Sequence, residues 1–142
     1  LDKRLAVTRV IRREKPNIVV SSDPQCYYIA DSYLNHPDHR TAGQIVVDSV
    51  FPAAINNAFF PELLEEGLPA VEISELWLSL PQTPNIRLDV DKYWERRLNA
   101  LLNHKSQIID AEKFLTRMQT NKANILAEDG CYYEFFRRIK FH

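Results

Sequence analysis

Residues 18 to 43 decide the fold of this chain, and they read IVVSSDPQCYYIADSYLNHPDHRTAG. The stretch opens on a short β-branched run, Ile18–Val20, which is typical of a strand buried on both faces of a parallel sheet. The residues before Pro16 follow the apolar spacing of an amphipathic helix, and the proline ends that helix. Helix, turn and buried strand together predict an α/β fold.

The same stretch leads into His36-Pro37-Asp38-His39-Arg40, which concentrates side chains that bind metals or move protons. Ligands of open α/β sheets lie beyond the carboxyl ends of the strands, which is where this segment falls. Pro37 disfavours a helical conformation at His36, so we expect His36 to be extended and Asp38 to cap a new helix. His39 then lies in the first turn, and the two imidazoles can point into one cleft.

Two interpretations of this segment stay open on the residues alone. In the first, His36 and His39 belong to a partial metal site in which Asp38 accepts the second N–H of an imidazole. In the second, Asp38 is only a helix cap and both histidines are solvated. A zinc site needs three or four converging ligands, and two histidines supply at most two of them. The motif by itself therefore indicates a partial metal site at most.

Length and composition indicate one soluble, globular domain over residues 1–142. The formal net charge of -1 argues against a nucleic-acid or anionic-membrane surface, because both need a clustered basic face. No apolar run approaches the roughly 20 residues of a membrane span. The two cysteines, Cys26 and Cys131, form no CxxC motif. We therefore expect a cytoplasmic protein with reduced thiols that binds neither nucleic acid nor membranes.

The chain resembles the LmbE-like/PIG-L family of zinc-dependent deacetylases, which act on N-acetylglucosamine-type amides. The resemblance covers nearly the whole chain and rests on the order of its motifs. The matching segments are Ile18–Val20, Asp23-Pro24, residues 36 to 43, Asp48, residues 51 to 54, residues 60 to 63, Glu75 with Trp77, His104 with Ser106-Gln107, and residues 132 to 138.

This resemblance implies a Rossmann-like three-layer α/β/α sandwich and a hydrolase that removes acetyl from an N-acetylglucosamine-type amide. It implies His39 as a ligand of zinc, or of another divalent metal. It implies His36 as the group that stabilises or protonates the tetrahedral intermediate, and Asp38 as the acid that orients His36. The implied partner is a small-molecule glucosamine conjugate.

One part of the family pattern has no match in this sequence. The family carries an early motif, AHPDDE, which supplies further zinc ligands and the base that activates water. The remaining histidines, His104 and His142, lie far downstream of such a position. We therefore expect the chain to be a single partial deacetylase domain, residues 1–142, with the amino-terminal strands missing and zinc not held tightly by this chain alone.

Two functions remain for such a chain. In the first it is one segment of a deacetylase and carries the late half of the site. In the second it is a non-catalytic remnant that acts as a binding or assembly module. It would then cover an exposed sheet edge by forming a homo-oligomer or by pairing with the missing amino-terminal half.

Overall fold

The computed structural model describes residues 3–29, 31 and 33–141, and His142 lies outside this part of the chain. The chain divides into two compact units, one formed by residues up to 86 together with those from 135 onward, the other by residues 87–134. The single domain over residues 1–142 therefore stays a prediction.

The first unit contains most of the regular elements. They are α1 (Lys3–Glu14), β1 (Ile18–Ser22), β2 (Tyr28–Ile29), β3 (Tyr33–Leu34), α2 (Pro37–Asp48), α3 (Glu62–Glu65) and β4 (Glu75–Ser79). Helical turns over Ser49–Ala54 follow α2, and they are broken at Phe51, where φ of -134° and ψ of 125° are those of a strand. The chain is thereby redirected at the end of α2 before α3 begins.

The main sheet has four strands in the order β1-β4-β6-β5, with β5 at Ile86–Asp89 and β6 at Tyr133–Lys140. Strand β1 runs parallel to β4, with Ile18 opposite Glu75. Strand β4 runs antiparallel to β6. The short strands β2 and β3 form a separate antiparallel hairpin. This mixed sheet with its helices confirms the predicted α/β class.

The second unit contains two helices, α4 (Trp94–Leu101) and α5 (Ala111–Ile125), after a 3₁₀ turn at Asp91–Tyr93. Its core consists of Trp94, Leu98 and Tyr132, all nearly inaccessible to solvent. The rings of Trp94 and Tyr132 meet edge to face with centroids 4.9 Å apart, an arrangement that aromatic pairs favour.

The prediction that β1 is buried on both faces is wrong. Val19 packs against the core of the first unit, which contains Ile11 of α1 and Leu76 of β4. On the opposite face, Ile18 is 46% exposed and Val20 is 60% exposed. The helices α1 and α2 place their apolar side chains against the face that carries Val19. The β-branched run therefore identified a strand correctly but overstated its burial.

Two further expectations concern the thiols and the membrane. Cys26 and Cys131 are both free, as the composition predicted. Among the described residues, no helix has the length and apolar character needed to cross a bilayer.

Arg12 of α1 is wholly buried and binds backbone carbonyls of the irregular segment after α2. Its Nη2 donates to Ala53 O at 2.8 Å, Asn56 O at 2.9 Å and Phe59 O at 3.0 Å. Its Nη1 donates to Leu68 O at 3.2 Å. Burial lowers the pKa of the guanidinium from its ordinary value. Arg12 thus supplies hydrogen-bond donors to an irregular segment in which Ala53 is buried, while Asn56 O also accepts from Phe59 N at 3.1 Å.

Replacement of Arg12 by methionine tests this role. We expect Arg12→Met to lower the free energy of unfolding by about 2–4 kcal/mol, because buried carbonyls lose donors that are worth about 1.5–3 kcal/mol each when charged. Urea denaturation measures the difference. The matched control is Arg13→Met on the same helix, whose side chain is 59% exposed and pairs only with Glu14. The control should change stability by less than about 0.5 kcal/mol, and equal effects of the two substitutions would contradict the assignment.

Candidate active site

Helix α2 approaches the carboxyl end of β1 at Gly43. A Cβ atom added at this glycine would lie 2.4 Å from Ser22 O and 3.1 Å from Pro24 N. Real side chains do not tolerate such a distance to a backbone oxygen, so only glycine allows the helix to come this close. The contact brings the second turn of α2 to the end of β1, and the histidine motif lies one turn earlier on the same helix.

The segment that joins β1 to the hairpin is held by Asp23. Asp23 N donates to Ser79 O at 3.0 Å, which extends the pairing of β1 with β4 by one residue. Its carboxylate accepts from Gln25 N at 2.8 Å and so closes a tight turn. Cys26 N donates to Asp23 O at 3.2 Å. The chain therefore turns away from the sheet immediately after β1.

Helix α2 begins at Pro37, and His36 is its N-cap residue. His36 has φ of -58° and ψ of 136°, so the expected extended conformation is confirmed. Its Nδ1 accepts the backbone N–H of Asp38 at 3.2 Å. The prediction that Asp38 caps the helix is wrong, because the ring nitrogen of His36 takes the position that a carboxylate usually fills. Asp38 lies inside the first turn instead.

The hydrogen bond to His36 fixes where its ring can donate. A backbone N–H can only donate, so Nδ1 of His36 acts as acceptor and the neutral ring carries its proton on Nε2. The carboxylate of Asp38 lies 3.7 Å from the same Nδ1, and its side chain is 87% exposed. This separation allows an ion pair when the ring is protonated but exceeds a hydrogen bond.

His39 lies in the first turn of α2, and its ring contacts a residue that precedes the helix. Its Nδ1 is 3.2 Å from Oδ1 of Asn35. The rings of His36 and His39 have centroids 5.9 Å apart and planes inclined by 52°. Both residues are exposed at the surface. The structure thus brings the two predicted histidines together, each with a separate hydrogen-bond partner.

Arg40 joins the start of α2 to the hairpin segment. Its guanidinium lies 4.5 Å from the ring centroid of Tyr27 and donates to the carbonyl of Asn35. Such stacking of a cation on an aromatic ring stabilises by about 0.5–1 kcal/mol at exposed sites. The rings of Tyr27, Tyr28 and Tyr33 are all more than half exposed, so none of them is a core residue.

The described residues can supply at most part of a metal site. Among them no group of three or more histidine, cysteine, aspartate or glutamate side chains is placed to hold a metal ion. His39 can contribute one nitrogen, whereas a zinc centre needs at least three protein ligands. These residues therefore do not fit a complete zinc site by themselves. His104 belongs to the second unit and lies in the exposed turn after α4.

The sequence reasoning missed Asn35. This residue is only 2% exposed, and it contacts His39, Cys26, Tyr27 and Arg40 by hydrogen bonds from its side chain and backbone. Its position directly before the histidine motif was the one feature of the sequence that could have identified it. An asparagine there is otherwise typical of a polar loop, and only the folded hairpin brings its partners together.

Comparison with known proteins identifies relatives of this arrangement, although no family model matches the chain. The chain is 33% identical over 104 residues to the diacetylchitobiose deacetylase of Thermococcus kodakarensis, across 73% of this chain and 37% of that protein. It superposes on the N,N'-diacetylchitobiose deacetylase of Pyrococcus horikoshii, solved with an inhibitor, with a TM-score of 0.77 and 30% identity. That match covers 96% of this chain and 51% of the other.

The chain is thus similar in sequence and fold to diacetylchitobiose deacetylases, which agrees with the resemblance to the LmbE-like/PIG-L deacetylases. It spans about a third to a half of the length of these two relatives. The α/β architecture expected from the resemblance is the one that the Pyrococcus deacetylase shares over almost all of this chain.

Two less similar structures have a related fold, and their likeness to this chain concerns the fold alone. The conserved protein TT1542 of Thermus thermophilus superposes with a TM-score of 0.65 at 20% identity. The 4-carboxy-2-hydroxymuconate hydratase GalB of Pseudomonas putida superposes with a TM-score of 0.59 at 16% identity. Because one of these folds carries a hydratase, the function of the present chain has to be argued from its site.

Substitution of Gly43 tests the contact between α2 and the end of β1. We expect Gly43→Ala to lower the free energy of unfolding by about 2–3 kcal/mol, because the added methyl group meets backbone atoms and α2 has to move. Urea denaturation measures this loss, and the ring signals of His36 and His39 should shift in NMR spectra. Thr41→Ala, at an exposed position of α2, is the control and should change stability by less than about 0.5 kcal/mol. An unchanged stability in Gly43→Ala would contradict the contact.

Proposed function

We propose that this chain carries the late half of the active site of a metal-dependent deacetylase that acts on an N-acetylglucosamine-type amide. The proposal is supported by the 33% identity to a diacetylchitobiose deacetylase. The observation that carries it is the pair of imidazoles at the start of α2, 5.9 Å apart and hydrogen-bonded to different partners. Because each ring has its own hydrogen-bond partner, His36 and His39 are suited to different roles in the reaction.

The reaction is hydrolysis of an acetamide. Water adds to the carbonyl carbon and forms a tetrahedral intermediate, whose oxygen becomes negative. The C–N bond then breaks, the amine takes a proton, and acetate and a glucosamine are released. Catalysis of such a reaction needs a donor at the developing oxyanion or at the leaving amine.

His36 is the residue that we assign to this donor role. Its Nδ1 is occupied by the N–H of Asp38, so the neutral ring presents its only proton at Nε2. In this state His36 can donate a hydrogen bond to an oxyanion, whereas transfer of a proton to the amine would require the positively charged ring. Asp38 is proposed as the acid that orients His36. Its carboxylate at 3.7 Å from Nδ1 would pair with the ring when His36 is positively charged.

His39 is the residue that we assign to the metal. The resemblance implies zinc, which supplies polarisation of the carbonyl and activation of water when it is bound. The other ligands would come from parts of the family fold that these residues do not span, since the chain matches 51% of the Pyrococcus enzyme.

The proposed setting follows from other parts of the structure. The free thiols of Cys26 and Cys131 support a cytoplasmic location, where thiols stay reduced. The proposed partner is a small-molecule glucosamine conjugate. Strand β1 lies at the edge of the four-stranded sheet, which supports pairing of this edge with a further strand.

Deacetylation of N,N'-diacetylchitobiose by the intact, zinc-loaded protein tests the proposal. We expect release of acetate, measured by an acetate assay. His36→Ala should retain zinc but lower kcat by about 100- to 1,000-fold, because one hydrogen-bond donor at the transition state is lost. His39→Ala should lose zinc on dialysis. The matched control is Gln44→Ala on the exposed side of the same helix, where Gln44 pairs only with Asp48. It should retain both zinc and activity.

Three outcomes would overturn parts of this proposal. Loss of zinc in His36→Ala would reverse the roles of the two histidines. Full activity in His36→Ala would remove this residue from the reaction. An intact protein that neither binds zinc nor releases acetate from any N-acetylglucosamine-type amide would favour the non-catalytic binding or assembly module.

A further inference from the structure

Tyr27 lies close to the histidine motif, and its backbone is held by two hydrogen bonds. Tyr27 N donates to Gln25 O at 3.0 Å, and Tyr27 O accepts from Asn35 N at 2.9 Å. Asn35 also contacts His39 through its side chain at 3.2 Å and Arg40 through its carbonyl. Tyr27, His39 and Arg40 therefore share one buried contact residue, which places Tyr27 close to His39.

The ring of Tyr27 is supported on one face and accessible on the other. The guanidinium of Arg40 lies over the ring, 4.5 Å from its centroid, and is itself bound to Asn35 O. Tyr27 nevertheless remains 59% exposed. Because Arg40 covers one face, this exposed area belongs largely to the opposite face and the ring edges. A flat apolar surface is thus presented to solvent in a fixed orientation.

The neighbouring residue, Tyr28, has nearly the same exposure but a different setting. It is 57% exposed and lies on β2, where it pairs with Leu34 of β3. Among the described side chains, Arg40 lies over the ring of Tyr27 and not over that of Tyr28. An immobilised ring loses less conformational entropy when a ligand binds, which favours Tyr27 as the binding surface.

The surroundings of Tyr27 combine apolar and polar groups in the way that a sugar requires. The side chains of His36 and Asp38, at the start of α2, are more than half exposed. The pyranose ring of a glucosamine unit has a face of C–H groups and a rim of hydroxyl groups. The face of an aromatic ring is electron-rich and attracts the weakly positive C–H groups, whereas hydroxyl groups hydrogen-bond to polar side chains.

We propose that Tyr27, supported by Arg40, is the aromatic surface on which the pyranose ring of the substrate stacks. The proposal rests on the function proposed above and adds a binding residue outside the histidine motif. Stacking on the sugar ring is the same before and during the reaction, so Tyr27 contributes to binding rather than to the chemical step. The deacetylated product should use the same surface.

Titration of N,N'-diacetylchitobiose into the intact, metal-free protein tests this inference directly. NMR spectra should show saturation transfer to the C–H protons of the sugar and shifts of the Tyr27 ring signals. Tyr27→Ala should raise the Kd by about 3- to 10-fold, because an aromatic stacking contact is lost. Tyr27→Phe keeps the ring and should retain most of the affinity. Tyr28→Ala is the matched control, since it removes an equally exposed adjacent ring, and should leave the Kd unchanged.

Steady-state kinetics of the intact, zinc-loaded protein give a second readout. With N,N'-diacetylchitobiose as substrate, Tyr27→Ala should raise KM several-fold and leave kcat nearly unchanged, because the lost contact is equal in the ground state and the transition state. A purely structural role of Tyr27 would not produce this separation of KM from kcat.

The outcomes separate this inference from the proposed function. Tyr27 ring signals that do not move at saturating sugar would overturn the inference, and this result needs no variant to fold. Equal losses of affinity in Tyr27→Ala and Tyr28→Ala would overturn it as well, while acetate release would still support the proposed function. Sugar binding through Tyr27 in a protein that releases no acetate would support the inference and reject the deacetylase. Absence of both sugar binding and acetate release would overturn both proposals.

Discussion

The contact of Gly43 with the carbonyl of Ser22 is the constraint on which the site depends. Because a Cβ atom would lie 2.4 Å from Ser22 O, this glycine alone allows α2 to touch the end of β1. The close approach brings the second turn of α2 to the strand end, where open α/β sheets carry their ligands, and the histidine motif lies one turn earlier on the same helix. The chain between them folds back as a hairpin, and Asn35 becomes buried against the turn that holds His39. One backbone contact thus determines which side chains meet.

Two buried polar side chains stabilise the irregular segments that this arrangement creates. Arg12 donates to four carbonyls between Ala53 and Leu68, and the Asn35 amide donates to Cys26 O. Buried backbone groups without a partner are unfavourable by about 1–3 kcal/mol each, so these segments depend on the side chains that pair with them. Arg12 binds the irregular segment after α2 in the first unit, whereas Asn35 contacts His39 directly.

Local sequence rules predicted several features of the fold. Features that depend on contacts between residues distant in the sequence were not predicted. The α/β class, the parallel strand β1 and the extended His36 before Pro37 follow from residue pattern and backbone restriction. The helix cap was assigned to Asp38, and the structure gives it to His36, because a ring nitrogen can accept the same N–H. Asn35 was missed because its amide partner, Cys26, lies nine residues earlier and reaches it only in the folded hairpin. The distribution of roles between His36 and His39 came from the family resemblance and stays a prediction.

A crystal structure of the intact protein with zinc, with anomalous data collected at the zinc absorption edge, tests the central claim most directly. The account predicts an anomalous peak about 2.0–2.1 Å from a ring nitrogen of His39, with His36 outside the coordination sphere. A peak on His36, or a zinc bound without His39, would contradict it.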